Sequence, residues 1–157
     1  IKQSDDKYLV YTDNGREYAG FDVFEWAKHV ESLGVGEICL TSVDMEGTGL
    51  GFDYNLTNKV ASICSVPVIA HGGAGSIKDI EKVINVSKAD AVAIASILHY
   101  DFIKRDKNDF NSKEDGNFEF LKRNSVFKKI NPSSLNEIKD YLYSINIECR
   151  HSLENQN

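Results

Sequence analysis

The sequence is poor in the residues that build disulfide frameworks and soft metal sites. Its 157 residues include three cysteines, two prolines, one methionine and one tryptophan. The cysteines (Cys39, Cys64 and Cys149) are odd in number and far apart, without the spacing of metal ligands. We therefore expect no disulfide framework, no metal site and no cofactor, and this cysteine usage fits a reducing cytoplasm.

Long apolar runs and a basic surface are also missing. No apolar run reaches the roughly 18 residues of a membrane span, and no charged-then-apolar leader precedes the first strand, so we expect neither membrane insertion nor a signal peptide. Lysine and arginine total 18 against 24 acidic residues, a net charge of −6. The basic residues are scattered along the chain, which argues against nucleic acid as the main partner.

The apolar residues that are present suffice for one folded domain. They make up 41% of the 157 residues, enough for a core, and we treat residues 1–157 as a single domain. The first residue is Ile1 and not methionine. We expect on this ground that the chain begins inside a longer protein.

The first forty residues change from strand-like to helical patterning. Residues 8–19 predict a surface β-hairpin, because an Asn-Gly pair lies between two strand-like runs. From Asp22, apolar residues recur every three or four positions. The pattern predicts a helix with Asp22 as its N-cap, Gly34 as its stop, and Trp26 and Leu33 on the buried face.

Three strand–helix units follow. Buried parallel strands are predicted at residues 37–43, from 66 to about 70, and at 91–96, and helices at residues 53–62 and from 76 onward. The strand ends recur about every 25 to 30 residues, the length of a strand–helix unit. Such units give an α/β fold with a parallel sheet, whose ligand-binding loops gather at the carboxyl ends of the strands.

A glycine-rich loop joins the second of these strands to its helix. Residues 71–75 read His-Gly-Gly-Ala-Gly. Glycines let backbone N–H groups approach an anion, and the following helix N-terminus adds a favourable dipole, so this loop predicts a phosphate cradle. The alternative is a plain strand-to-helix turn.

Residues 101–130 are charged and nearly without apolar periodicity, and they form a predicted insertion before the last helix. It could be a lid, a partner-docking flap or a solvated loop. A helix then restarts after Pro132, and the positions expected on its buried face are Leu135, Ile138, Leu142 and Tyr143.

Three segments in this order carry a family resemblance. They are residues 34–48 (GVGEICLTSVDMEGT), 70–75 (AHGGAG) and 95–100 (ASILHY). Together with the hairpin they resemble the carboxyl-terminal half of the cyclase subunit of imidazole glycerol phosphate synthase, over residues 1–100 and again from about 131 to 150. The resemblance implies a (βα)8 TIM-type barrel, of which this chain would supply about strands five or six to eight.

The resemblance also implies an activity and its site. The family receives ammonia from a glutaminase partner, passes it through the barrel and closes an imidazole ring on a doubly phosphorylated ribulosyl substrate in histidine biosynthesis. The second phosphate of the substrate would lie among Gly47, Gly72, Gly73, Ala95 and Ser96. Backbone N–H groups and a serine hydroxyl suit that task, since they donate to an anion without a counter-charge. The alternative for Ser96 is a small residue that only packs at a strand end.

Further positions take roles from the same resemblance. Thr41 and Asp44 would stand at the mouth of the sixth strand, and Glu37 at its opposite end, in the gate through which ammonia enters. The alternative for Glu37 is a routine stabilising role, which is common for a carboxylate at the amino end of a barrel strand. The family's acid and base aspartates would lie upstream of Ile1 or on missing strands, so this chain alone is expected to be inactive.

Departures from the family pattern leave alternatives open. Glu46 stands where the family usually has aspartate, and His71 replaces a serine. His71 could donate to the substrate, act as an acid or base near neutral pH, or be a packed, hydrogen-bonded histidine. These departures point to a divergent branch resembling ammonia-channelling subunits of sugar amidotransferases in surface-polysaccharide synthesis.

Two hypotheses outside the family remain: a non-catalytic phosphate-binding half-barrel and another phosphate-binding barrel such as a flavin enzyme. An isolated half-barrel would expose unpaired strand edges and an apolar interior. We therefore expect self-association or closure by the missing half.

Overall fold

The computed structural model describes residues 1–4, 7–105 and 129–150. These residues contain an antiparallel sheet in the order β1 (Lys2–Ser4), β2 (Lys7–Thr12) and β3 (Glu17–Asp22), and a parallel sheet in the order β4 (Ile38–Thr41), β5 (Val68–His71) and β6 (Ala91–Ala93). The helices are α1 (Val23–Ser32), α2 (Tyr54–Ile63), α3 (Ile77–Ser87), α4 (Ser96–Arg105) and α5 (Leu135–Ser144). None of these helices is long and apolar enough to cross a membrane.

Residues 8–19 form an antiparallel pair that belongs to a larger sheet. A 3₁₀ turn joins β2 to β3, with Asn14 in the left-handed region at φ 53°. The residues 12–14 at its turn are exposed, whereas Tyr8 and Val10 are only 5% and 9% exposed. These side chains pack in one cluster with Val23 and Ala27 of α1, which ties the hairpin to the rest of the fold.

Helix α1 begins where its capping residue predicts. The Asp22 carboxylate accepts hydrogen bonds from two N–H groups of the first turn, at 2.8 and 3.3 Å. The helix ends before Leu33, which is 70% exposed, so the expectation that Leu33 is buried is wrong. Trp26 is half-buried and stacks on Phe21 with ring centroids 4.6 Å apart, at the edge of the core.

The parallel sheet carries the predicted strand–helix order, with α2, α3 and α4 following β4, β5 and β6 in the chain. The α/β class expected from the sequence is therefore confirmed. Ile1 extends the same sheet: its nitrogen donates to the Thr41 carbonyl and its carbonyl accepts from the Val43 N–H, both at 2.9 Å. These two bonds straddle Ser42 in the pattern of a parallel pair.

The two faces of the parallel sheet differ. Leu40, Val68 and Ala70 are at most 5% exposed and pack in the two apolar clusters that the helices cover. On the other face, Cys39 and Ala91 are exposed. Burial of both faces of the strand predicted at 37–43 is therefore wrong for the described residues, because no layer of them covers this second face, which we call the uncovered face.

In the region after β6, the strand and the helix have different bounds from those that the sequence predicts. The strand predicted at 91–96 ends at Ala93, and α4 starts at Ser96 and runs to Arg105. The helix therefore continues through the first five residues of the predicted insertion at 101–130, and the insertion itself stays a prediction. Residues 106–128 lie outside the described residues, as does the expectation of a lid or flap there. Ile130 is buried, 6% exposed, in the apolar cluster that contains Ala70.

Helix α5 begins with a capping box. The Ser134 hydroxyl accepts from the Glu137 N–H at 3.2 Å, and the Glu137 carboxylate accepts from the Ser134 N–H at 2.7 Å. Ile138 and Leu142 are buried as expected. Leu135 and Tyr143 are 49% and 66% exposed, so their expected burial is wrong.

Candidate functional site

The candidate site lies at the carboxyl edge of the parallel sheet, where two loops pack together. The first loop follows β4 (residues 42–53) and the second follows β5 (residues 72–76). The Gly51 N–H donates to the Gly73 carbonyl at 2.8 Å, and the Asn131 N–H donates to the Gly75 carbonyl at 2.7 Å. Backbone hydrogen bonds thus fix the glycine loop from two sides.

Close packing explains why glycines occupy the second loop. Gly73 has φ 102°, and a Cβ there would overlap the Gly51 carbonyl oxygen and lie 2.9 Å from the Met45 Cβ. Gly72 has φ 94°, and its Cβ would lie 2.7 Å from the Ser42 carbonyl oxygen. These glycines therefore let the second loop pack closely against the first loop of the same chain, and their approach to an anion stays a prediction.

The backbone polar groups at the glycine loop differ in their hydrogen-bond partners. The His71 carbonyl accepts from the Ser42 N–H at 3.1 Å, so this carbonyl faces the residue that follows β4. Among the described residues, no backbone carbonyl accepts from the Gly73 N–H. Gly73 therefore supplies a donor that an anion could use.

The N-terminus of α3 is already occupied by a carboxylate. Asp79 accepts from the N–H groups of Gly75 and Ser76 at 3.1 and 2.8 Å, and from the Ser76 hydroxyl at 2.9 Å. This carboxylate of the helix's own capping box therefore occupies the N–H groups of Gly75 and Ser76, and the contribution of the helix dipole to an anion site stays a prediction. Any anion at this edge must use donors other than these.

Tyr54 extends this network and was missed from the sequence. Its hydroxyl donates to Asp79 Oδ1 at 2.9 Å, and burial together with the Asp79 carboxylate raises the pKa of Tyr54. The same hydroxyl fills the space beside Gly51, where a Cβ would lie 2.5 Å from it. The Ser-x-x-Asp spacing of residues 76–79 was the available signal for the Asp79 part of the network.

The remaining residues expected at a phosphate sit around the same edge. Ser96 is the first residue of α4, so its N–H belongs to the free donors of a helix N-terminus and Ser96 is not a strand end. Ala95 is exposed, and its carbonyl accepts from the His99 N–H at 2.9 Å. Gly47, at φ 73°, lies in the turn after β4 with open space around it.

A hydrogen-bonded side-chain pair stands beside this edge. Thr41 Oγ1 and His71 Nδ1 lie 3.0 Å apart, and these residues are register partners in β4 and β5. Asp44 and Glu46 are exposed in the turn that follows β4. Glu37 is also exposed, but it precedes β4 and so lies at the opposite, amino edge of the sheet.

The donor set suits an anion better than a metal ion. In the part of the chain that the structure describes, no group of three or more His, Cys, Asp or Glu side chains is arranged to hold a metal. The available groups are backbone N–H donors at Gly73 and at the start of α4, with the Ser96 hydroxyl and the His71 ring nearby. Such groups bind phosphate-like oxyanions without a counter-charge.

Parallel strand–helix units with their candidate site at the carboxyl edge of the sheet define an α/β protein of the kind that binds ligands at that edge. Residues 2–104 match the family described as "Histidine biosynthesis protein", and the chain belongs to that family. The family expected from the sequence is thereby confirmed.

Similar curated proteins bear the name "Imidazole glycerol phosphate synthase subunit HisF". The proteins of Prochlorococcus marinus strains MIT 9312 and AS9601 are 53% identical over 94 residues and 56% identical over 93 residues. The protein of Lactococcus lactis subsp. cremoris MG1363 is 49% identical over 98 residues. These matches cover 59–62% of this chain and 36–38% of the relatives, so the matched chain spans little more than a third of their length.

Proposed function

We propose that this chain is the carboxyl-terminal part of the cyclase subunit of imidazole glycerol phosphate synthase, acting in histidine biosynthesis. The complete protein would take ammonia from a glutaminase subunit and close an imidazole ring on a doubly phosphorylated ribulosyl substrate. The observation that carries the proposal is the packed pair of glycine loops at the carboxyl edge of the sheet, in a chain that belongs to this family.

The proposed architecture is a (βα)8 barrel to which this chain contributes about strands five or six to eight. The parallel pairing of Ile1 beside β4 supports it, because a strand leading into Ile1 would run parallel to β4 in the same sheet. The uncovered face supports it too, since closure of the barrel would make this face the interior.

In this proposal the chain holds the second phosphate of the substrate. The Gly73 N–H and the N-terminal turn of α4, with the Ser96 hydroxyl, are the donors, and Gly47 and Ala95 border the phosphate. Gly72 supplies the turn that brings Gly73 against the neighbouring loop. Thr41, Asp44 and Glu46 would line the mouth beside the reacting part of the substrate, and His71 would stand between them and the phosphate.

The opposite edge is the proposed entry for ammonia. Glu37 is exposed just before β4, where a glutaminase subunit could dock against the amino ends of the strands. A carboxylate in that position would attract ammonium and guide it toward the barrel interior. We propose a cytoplasmic location for the complete protein, where such a biosynthetic reaction would find its substrate.

The test is an assay of the full-length protein with ammonium salts and the ribulosyl substrate. Ring closure is expected for the full-length protein. No ring closure is expected for the 157-residue chain alone, because the acid and base of the family lie outside it. Absence of ring closure by the full-length protein at millimolar ammonia would contradict the proposal.

A second candidate is an ammonia-channelling subunit of a sugar amidotransferase in surface-polysaccharide synthesis. The observation that favours it is the Thr41–His71 pair, because His71 stands where the cyclase family has serine. In this case the ring-closure assay fails and amidination of a sugar-linked acceptor succeeds. A non-catalytic half-barrel would bind phosphate and support neither reaction.

A further inference from the structure

The Thr41–His71 pair has a fixed geometry at the candidate site. The two residues are register partners, and 3.0 Å separates Thr41 Oγ1 from His71 Nδ1. Strand alternation places both side chains opposite Leu40 and Ala70, which face the helices, and therefore on the uncovered face. Both residues are half-buried, so the ring is held by its surroundings and still reachable.

The bond to Nδ1 bears on where the ring carries its proton. A hydroxyl can donate to Nδ1, which leaves the proton of the neutral ring on Nε2. Among the described residues, Thr41 is the one hydrogen-bond partner of the ring, and neither a carbonyl nor a carboxylate holds a proton on Nδ1. Nε2 lies on the other side of the ring from Nδ1, and among the described residues it has no hydrogen-bond partner.

The surroundings of Nε2 suit an anionic ligand. Gly72 and Gly73 follow His71 directly, so the ring stands at the start of the loop that offers the Gly73 N–H. On the β6 side the register partner of His71 is Ala93, whose methyl group makes no hydrogen bond to the ring. An imidazole N–H and a backbone N–H would thus stand two residues apart in the chain at this edge.

We propose that Thr41 holds His71 in the tautomer with the proton on Nε2, and that this N–H donates a hydrogen bond to a phosphate oxygen of the substrate. His71 is then a specificity-determining residue, and Thr41 is a positioning residue that acts through it. The inference rests on the proposed function in one respect only, that the ligand is phosphorylated.

The first test reads the tautomer directly. In full-length protein with ¹⁵N-labelled histidine, NMR correlation spectra of the neutral rings report which nitrogen carries the proton. We expect Nε2–H for His71 in the wild type and in Thr41→Ser. Thr41→Val should show a mixture of both tautomers. The exposed rings of His29 and His99 serve as internal references.

The second test uses inorganic phosphate as the probe, titrated calorimetrically into the full-length protein. His71→Gln keeps a side-chain N–H close to the place of Nε2, whereas the shorter side chain of His71→Asn places its amide near Nδ1. We expect His71→Gln to bind phosphate within about twofold of the wild type and His71→Asn about tenfold more weakly, the loss of one good hydrogen bond to an anion.

Several outcomes would overturn the inference. They are an Nδ1–H tautomer in the wild type, an unchanged tautomer in Thr41→Val, and equal phosphate affinity in the wild type and both His71 variants. If phosphate binding weakens in His71→Asn while the wild type closes no imidazole ring, the proposed function fails and this inference stands. If ring closure occurs while His71→Asn binds phosphate normally, the inference fails and the proposed function stands.

Discussion

At the scale of single residues, Gly73 has the strictest local requirement in the candidate site. It combines φ 102° with a position where a Cβ would overlap the Gly51 carbonyl oxygen. Gly47 shares the positive φ, at 73°, but has no atom within 4 Å of its Cβ position. The two glycines therefore separate the cost of the backbone conformation from the cost of a steric clash.

We predict that Gly73→Ala destabilises the full-length protein by about 2–4 kcal/mol, because it adds a clash with a hydrogen-bonded loop to the backbone strain. It should also weaken phosphate binding, since the Gly73 N–H must shift with its loop. Gly47→Ala, the matched control, should cost about 1–2 kcal/mol. Denaturant unfolding checks the difference, and equal losses for the two variants would contradict loop packing as the reason for glycine.

Single residues also show which structural features could be predicted from the sequence. Asp22, Asp53 and Ser76 were recognisable as helix starts because capping depends on neighbours within about four positions, and all three lie at N-caps. Leu33 was misassigned because helical periodicity does not say where the last turn meets solvent. The Thr41–His71 bond spans thirty positions and depends on strand register, which no local pattern specifies.

At the scale of elements, Asp79 joins α3 to the loops before it and to α2. Its carboxylate caps α3 and also accepts from the Tyr54 hydroxyl of α2. The same carboxylate occupies N–H groups that an anion would otherwise use. Its contribution to stability and its effect on anion binding are therefore expected to have opposite signs.

We predict that Asp79→Ala lowers the free energy of unfolding by about 2–3 kcal/mol, because the cap and the Tyr54 bond are lost together. Tyr54→Phe, which removes the hydroxyl alone, should cost about 1 kcal/mol. Phosphate affinity should not fall in Asp79→Ala, since the change removes a negative charge and frees two N–H groups. Weaker phosphate binding in a folded Asp79→Ala protein would show that the carboxylate orders the anion site.

Glu31 joins α1 to the start of the segment that leads into β5. Its carboxylate accepts from the N–H and hydroxyl of Ser65 at 2.6 and 2.7 Å, and from the Val66 N–H at 3.1 Å. These hydrogen bonds, those from Ser65 first, lower the pKa of Glu31 below its ordinary value of 4.5. A lowered pKa in the folded state means stability that is present above the ordinary value and lost as pH falls through the lowered one.

We predict that Glu31→Gln lowers the melting temperature at neutral pH, because glutamine keeps only one acceptor oxygen and no charge. The difference from the wild type should shrink as pH falls below about 4, where the wild-type carboxyl also takes up a proton. Glu25→Gln, on the same helix, is the control and should change little at any pH. A pH-independent difference for Glu31→Gln would rule out ionisation as its source.

The order of the strands and helices could be predicted better than the residues at which they begin and end. The order of strands and helices follows from short apolar runs, capping residues and glycines, all of which are local signals. The extension of α4 to Arg105 was missed because residues 101–105 are mostly polar and a helix with one solvated side needs few apolar positions. The packing of the loops at residues 42–53 and 72–76 depends on the parallel sheet and has no local signature.

At the scale of the whole molecule, the main open question is what packs against the uncovered face, since no described element does. Cys39 and Ala91 are exposed there, and β6 forms an edge of the parallel sheet among the described strands. Exposed strand edges beside an apolar surface favour pairing with another chain. In the proposed barrel the remaining strands would cover both the edge and the face.

We predict that the 157-residue chain expressed alone associates in a concentration-dependent way, as sedimentation velocity would measure, and that the full-length protein buries this face. Cys39→Asp places a charge on the uncovered face and should shift the isolated chain toward monomer, because association would have to desolvate that charge. Val86→Asp is the matched control, since Val86 is 59% exposed on α3, on the helix side of the sheet. It should leave association unchanged. A well-behaved monomer at all concentrations, or equal effects of the two substitutions, would mean that the uncovered face does not drive association and would remove its support for a barrel completed by other strands.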